Sequence, residues 1–139
     1  MKNLANCKPT EFLKQTVRIK HAAEKWLDAT KLLKIRETTP DIKLIDDDME
    51  PEEKAKVLAE NRKARSKQQK KNLSKMFDAM MEENADGTLE LLALSCFVEP
   101  ENVDDHTIDE YLLAISEMLG NESVISFFTS LAKWGLINI

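Results

Sequence analysis

The feature that most limits what this chain can become is the run from Pro51 to Glu83, which holds no glycine and no proline after its first residue. Proline is tolerated at an early helical position, and Glu50, Glu52 and Glu53 set carboxylates at the positive end of a helix dipole. Nothing in the run stops a helix once it has begun, so one long helix over residues 51–84 is expected. Its apolar residues sit at the two ends: Ala55 and Leu58 early, then Leu73, Met76, Phe77, Met80 and Met81. The middle, Asn61 to Asn72, is nearly all polar and predicts an exposed basic stretch that no face can bury. It would either bridge solvent or order against a partner.

Shorter helices are expected around it. Pro9 suits a first helical position, and Phe12, Thr16, Ile19, Ala23, Trp26 and Leu33 follow at spacings of three, four or seven, one stripe of an amphipathic helix. That helix is predicted from about Pro9 to about Arg36, with room for a break near His21. Thr38, Thr39 and Pro40 end it, because the residue before proline is pushed out of the helical region. Residues 41–50 read as an acidic loop whose Ile42, Leu44 and Ile45 could fold back on the core.

Asp86-Gly87 is expected to close the long helix and Thr88 to open the next, with Leu89, Leu91, Leu92, Leu94, Cys96 and Phe97 before Pro100. Thr107 followed by Glu110 forms a capping box that starts a fourth helix, with Ile108, Tyr111, Leu112, Ile115 and Leu119 facing inward. Gly120-Asn121 separates it from a fifth, Val124 to about Trp134.

No strand pattern competes, and only 3 glycines and 4 prolines interrupt the chain. The expected fold is all-α: a single-domain bundle of about five helices over residues 1–139, with a long charged second helix and an apolar three-helix core at 88–135. A chain of 139 residues can remove about two-thirds of its unfolded surface from water. One core therefore suffices without disulfides, and Cys7 and Cys96, far apart in sequence, suit a reducing compartment. No N-terminal apolar run has signal-peptide length, and no segment approaches the roughly 20 apolar residues that span a bilayer.

The residues that could do chemistry have plainer readings. His21 lies beside Lys20 and His106 beside Asp105, neither among ligands at metal-binding spacing. Asp46-Asp47-Asp48 lacks the alternating ligands and central glycine of a calcium loop. Ser95 and Cys96 fall in an apolar helix with no histidine near in sequence, and no glycine-rich loop exists to cradle a phosphate. No catalytic residue, metal or cofactor is expected, and the chain reads as a binding module.

Two surfaces could do the binding. The basic run Arg62, Lys63, Arg65, Lys67, Lys70 and Lys71 contains no aromatic residue, and the whole chain is acidic at net −5. A solvated face or an acidic protein partner is favoured there over nucleic acid. Its charge also complements the blocks Asp46 to Glu53 and Asp104 to Glu110, which leaves open a charge-paired contact between copies. The apolar surface is drawn from Met80, Met81, Phe127, Phe128, Leu131 and Trp134. Methionines at helical spacing beside Phe77 more often fill a core, though they also suit a surface that accepts varied helices. Phe127 and Phe128 point about 100° apart on a helix, so one of them, or Trp134, is expected to stay available to a partner. The chain closes with Gly135-Leu136-Ile137-Asn138-Ile139, an apolar tail.

The pattern Asn3-Leu4, Lys8-Pro9-Thr10-Glu11-Phe12-Leu13-Lys14-Gln15-Thr16, Trp26-Leu27, Ile35-Arg36 and Pro40, then Leu91 to Pro100 and Phe127-Phe128-Thr129-Ser130-Leu131, resembles the tail assembly chaperones of long-tailed bacteriophages and prophages. It spans nearly the whole chain and is thinnest over residues 41–72. The resemblance implies a small, helical, non-enzymatic protein of the host bacterial cytoplasm, absent from the mature virion. Such a protein coats the tape measure protein and keeps it soluble while tail tube protein assembles around it. The competing expectations are a small nucleic-acid-binding regulator using residues 62–71 and a self-assembling structural protein.

Overall fold

The structure, a computed structural model, describes residues 1–135. It is all-α. The helices are α1 (Pro9–Thr30), α2 (Leu32–Arg36), α3 (Pro51–Asp78), α4 (Ala85–Ser95), α5 (Ile108–Leu119) and α6 (Glu122–Lys133). A π-helical turn, Ala79–Glu83, follows α3, and a 3-10 turn, Pro100–Asp105, precedes α5. The tail residues Leu136 to Ile139 lie outside the described part. The chain forms two compact units, one of Met1–Trp26 with Asp86 onward, the other of Leu27–Ala85.

In the first unit, the predicted stripe of α1 is the face that turns inward: Phe12, Thr16, Ile19, Ala23 and Trp26 are all half-buried, with Gln15 and Ala22 fully so. Gln15 donates from Nε2 to the Leu94 carbonyl at 2.6 Å, tying α1 to the end of α4. There α4 stops without glycine. Phe97 takes φ +57°, and the amides of Phe97 and Val98 return to the carbonyls of Leu94 and Ala93 at 3.3 and 3.0 Å, a Schellman closure. The apolar centre consists of Cys96, Tyr111 and Ala114 with Leu92, Val98, Val103 and Ile115 around them. Tyr111 donates its hydroxyl hydrogen to the Val103 carbonyl at 2.7 Å, so the ring is buried without orphaning its oxygen. The expected cap of α5 is present: the Glu110 amide donates to Thr107 Oγ1 at 3.3 Å. Asn121 does the same for α6, accepting from the Val124 amide at 3.0 Å. Asn3, wholly buried, donates to Glu117 on α5 at 3.0 Å and fixes the N-terminal turn.

Two expectations fail in this unit. Asp86 and Gly87 do not close the long helix; they lie in the first turn of α4, which begins at Ala85. Gly87 packs near the Trp26 indole, which a Cβ placed there would meet at an ordinary contact of 3.5 Å. On α5 the inward face is Tyr111, Ala114 and Ile115, while Ile108, Leu112 and Leu119 are exposed. Tyr111 and Ala114, three apart, set the contact line, and that rotation carries the leucines outward.

In the second unit, the first long helix ends at Thr30 rather than near His21 or at Arg36. Lys31 adopts a left-handed conformation (φ 54°, ψ 32°), and the turn buries both Thr30 and Leu32 while leaving Leu33 outside. Residues 37–50 run beside α3 without regular structure. Leu44 is 86% exposed and Ile42 and Ile45 are exposed too, so the loop does not fold its aliphatic side chains into a core. What holds it is polar. Asn61 accepts from the Lys43 amide and donates to the Lys43 carbonyl, both at 2.9 Å, and Asn72 donates to the Thr38 carbonyl at 2.9 Å. Both asparagines are buried. The middle of α3 thus does have a buried face, made of amides rather than apolar side chains, and the expectation that none could form is corrected. A half-buried or buried stripe runs Val57, Asn61, Ala64, Gln68 and Asn72 at steps of three or four.

Candidate functional site

The residues singled out by sequence for one apolar surface divide between the units: Phe127, Phe128, Leu131 and Trp134 belong to the first, while Met80 and Met81 belong to the second with the basic run. In the first, the N-terminal turn and α1 supply Cys7, Pro9, Phe12 and Leu13, and α6 supplies Phe127; together they line an apolar groove of about 400 Å³. Three rings gather beside it. Phe12 meets Phe127 edge to face at 5.3 Å between centroids and Phe128 at 6.4 Å, and Phe127 meets Phe128 edge to face at 5.4 Å. Such pairs hold one another in preferred geometry. The two phenylalanines therefore divide as their 100° separation requires: Phe128 is half-buried under the cluster and Phe127 is exposed at the groove. Leu131 is half-buried one turn on, and Trp134, just past the end of α6, is 72% exposed. Leu13 and Val17 on α1 are exposed as well.

Sequence reading named Phe127, Phe128, Leu131 and Trp134 but missed Phe12 and Leu13. The signal was available: Phe12 begins the inward stripe of α1 and Leu13 is its neighbour about 100° round the helix. A contact between residues so distant in sequence is not readable from periodicity.

The same unit carries exposed charge pairs. Lys2 hydrogen-bonds Glu11, whose carboxyl is held below the usual glutamate range chiefly by that bond. Lys2 also lies over the Phe97 ring, 5.2 Å from its centre. Arg18 grips Glu99 with both terminal nitrogens at 3.0 and 2.9 Å. Cys7, which lines the groove, donates toward the Leu4 carbonyl at 3.8 Å, and burial pushes its thiol pKa up. Burial raises the Cys96 thiol likewise. His106 contacts Glu110 at 2.7 Å, one turn apart on the surface. Among the described residues, no group of three or more His, Cys, Asp or Glu side chains is placed to hold a metal ion. No described helix is long and apolar enough to cross a membrane.

In the second unit, Met80 and Met81 fall in the π-helical turn, which Asn84 closes by donating to the Ala79 carbonyl at 2.8 Å. Met76 and Met80 are half-buried and Met81 is exposed. Leu73, Phe77 and Met81, four residues apart, form an exposed apolar row down the end of α3. Arg62, Lys63, Arg65, Lys67, Lys70 and Lys71 are all exposed along α3.

Compared with known proteins, the chain matches no protein-family model, no curated protein and no solved structure.

Proposed function

We propose that this chain is a tail assembly chaperone that binds a tape measure protein and keeps it soluble while tail tube protein assembles. The reading rests on the residue pattern given above, and one structural observation supports it most: large apolar side chains of α1 and α6 stay outside in the folded chain. A groove with apolar walls that include the exposed Phe127 suits the greasy stripe of another helix, and Trp134, past the end of α6, is exposed as well. Hydrophobic contact of this kind is non-directional and tolerates many sequences, which a coat for a long repetitive chain needs. Burial at about 25 cal/mol per Å² favours contact. The coat must also come off, so single contacts are weak and the holding power comes from many copies on one chain.

Co-expression with a tape measure fragment tests this. The chain should bring the fragment into the soluble fraction and co-purify with it, and Leu13→Asp or Trp134→Asp should abolish both while leaving helicity intact. A fragment equally soluble with the variants would refute the proposed surface. Phe128→Asp is the wrong probe, because that ring supports Phe12 and Phe127 and its loss would disturb the cluster itself.

The exposed basic row on α3 favours a second reading, a nucleic-acid-binding regulator. It requires a salt-dependent gel shift of DNA at near-physiological ionic strength. A third, a self-assembling structural protein, requires a defined oligomer by size-exclusion chromatography with light scattering.

A further inference from the structure

The second unit holds a pocket of about 420 Å³ between α2, the 38–42 segment and α3. That volume lies in the range of pockets that take a defined ligand group. Its composition is selective. Arg36 from α2 and Arg65 from α3 both line it, together with the polar Thr39 and Gln69 and the aliphatic Pro40 and Ile42. No carboxylate lines it: Glu37 and Asp41, adjacent in sequence to lining residues, do not contribute. Neither guanidinium has an ion-pair partner among the described residues, although the chain carries 25 acidic side chains and a net charge of −5.

The frame is fixed. Asn72 holds the Thr38 carbonyl from beneath and receives a hydrogen bond from Gln68 at 2.8 Å, and Asn61 pins the same segment at Lys43. Arg65, Gln68 and Asn72 share one face of α3, so the site extends over about 10 Å of helix at 1.5 Å per residue. A rigid pocket with two uncommitted planar forks and an aliphatic wall matches paired carboxylates beside an aliphatic side chain.

We infer that this pocket, independently of the apolar groove in the other unit, captures an acidic peptide segment of a partner protein, with Arg36 and Arg65 on its carboxylates and Pro40 and Ile42 against an adjoining aliphatic residue. Nucleic acid fits less well. No aromatic ring lines the pocket to stack a base.

Fluorescence anisotropy with a labelled Glu-Glu-Leu repeat peptide tests the site. The full chain should bind it; Arg36→Glu and Arg65→Glu should each weaken binding about tenfold or more, as expected for a charge-assisted contact. Lys71→Glu, an equal charge change on α3 outside the pocket, should weaken it far less. Arg65→Lys should fall between, since it keeps charge and loses the fork. Circular dichroism checks that each variant remains helical. The inference is overturned by absence of binding, by equal losses from Arg65→Glu and Lys71→Glu, or by an oligonucleotide of matched charge that competes better than the peptide with the same arginine dependence.

Discussion

Along α3 the buried side chains are Val57 and two asparagines, whereas in the unit of α1, α4, α5 and α6 most are apolar, Leu4, Ala22, Ala93, Leu94, Cys96, Tyr111, Ala114 and Val124 beside the polar Asn3, Gln15 and Ser95. The first set joins a helix to a loop by amide hydrogen bonds, and the second closes a small apolar centre. Both units leave apolar side chains in solvent: Leu13, Val17, Leu112, Leu113, Leu119 and Trp134 in the apolar one, and Leu44, Leu58, Leu73, Phe77 and Met81 in the other. Hydropathy therefore does not rank burial here. The polar middle of α3 finds a partner within the chain, while the apolar helices, and the end of α3, have more greasy surface than their own contacts consume. A surplus of this kind marks a binding surface.

The comparison can be broken most forcefully at Tyr111. Its ring fills the apolar centre and its hydroxyl is satisfied by Val103, so Tyr111→Ala should cost about 3 to 5 kcal/mol in urea unfolding, as buried aromatic truncations do. If Tyr111→Ala cost no more than a surface substitution, the centre would lie elsewhere. Asn61→Ala should come next, at about 2 to 3 kcal/mol, because it strands both the amide and the carbonyl of Lys43. Hydrogen exchange should show the Lys43 amide losing protection while amides of α5 keep theirs. Protection unchanged at Lys43 would mean that the amide clamp does not hold the loop.

Thr16→Val sharpens the contrast from the other side. The Thr16 hydroxyl is buried without a hydrogen-bond partner among the described residues, so the near-isosteric change should stabilise by about 1 kcal/mol. A destabilised variant would show that the oxygen is satisfied in solution.

The smallest effect is expected from acid. Glu99 beside Arg18 and Glu60 beside Lys43 both have carboxyls held below the usual range, first by the hydrogen bond from the cation. Their folded pKa is lower than their unfolded one, so each contributes stability above the ordinary carboxylate range and loses it as pH falls through the lowered value. Both pairs are exposed, so the effect should be slight. Glu99→Gln should flatten the first unit's share of the decline in an acid titration followed by circular dichroism; an unaltered slope would assign it elsewhere.

The helices themselves were legible. Pro9, Pro51 and Thr107 mark starts that the structure keeps, because caps and proline positions are decided locally. The breaks were less so: Lys31 and Phe97 take left-handed backbone that glycine normally supplies, and only the burial of neighbouring residues explains it. Facing was hardest to read. On α5 apolar residues cover most of the circumference, so periodicity could not choose between Tyr111–Ala114 and Ile108–Leu112–Leu119. On α3 a stripe of asparagine and glutamine carries no hydrophobic signal at all. The groove was half visible, as aromatic residues on α6 without their partners on α1.

The central claim is that the folded chain leaves large apolar side chains in solvent, and Trp134, 72% exposed just past the end of α6, reports on it directly. Trp26 is half-buried and donates to Thr88 at 2.8 Å, so a Trp26→Phe variant leaves Trp134 as the sole tryptophan. Its emission should be red-shifted and freely quenched by acrylamide in the isolated, fully helical protein, then blue-shifted and protected when a tape measure fragment is added. Emission that is already blue and shielded in the free protein would contradict the account.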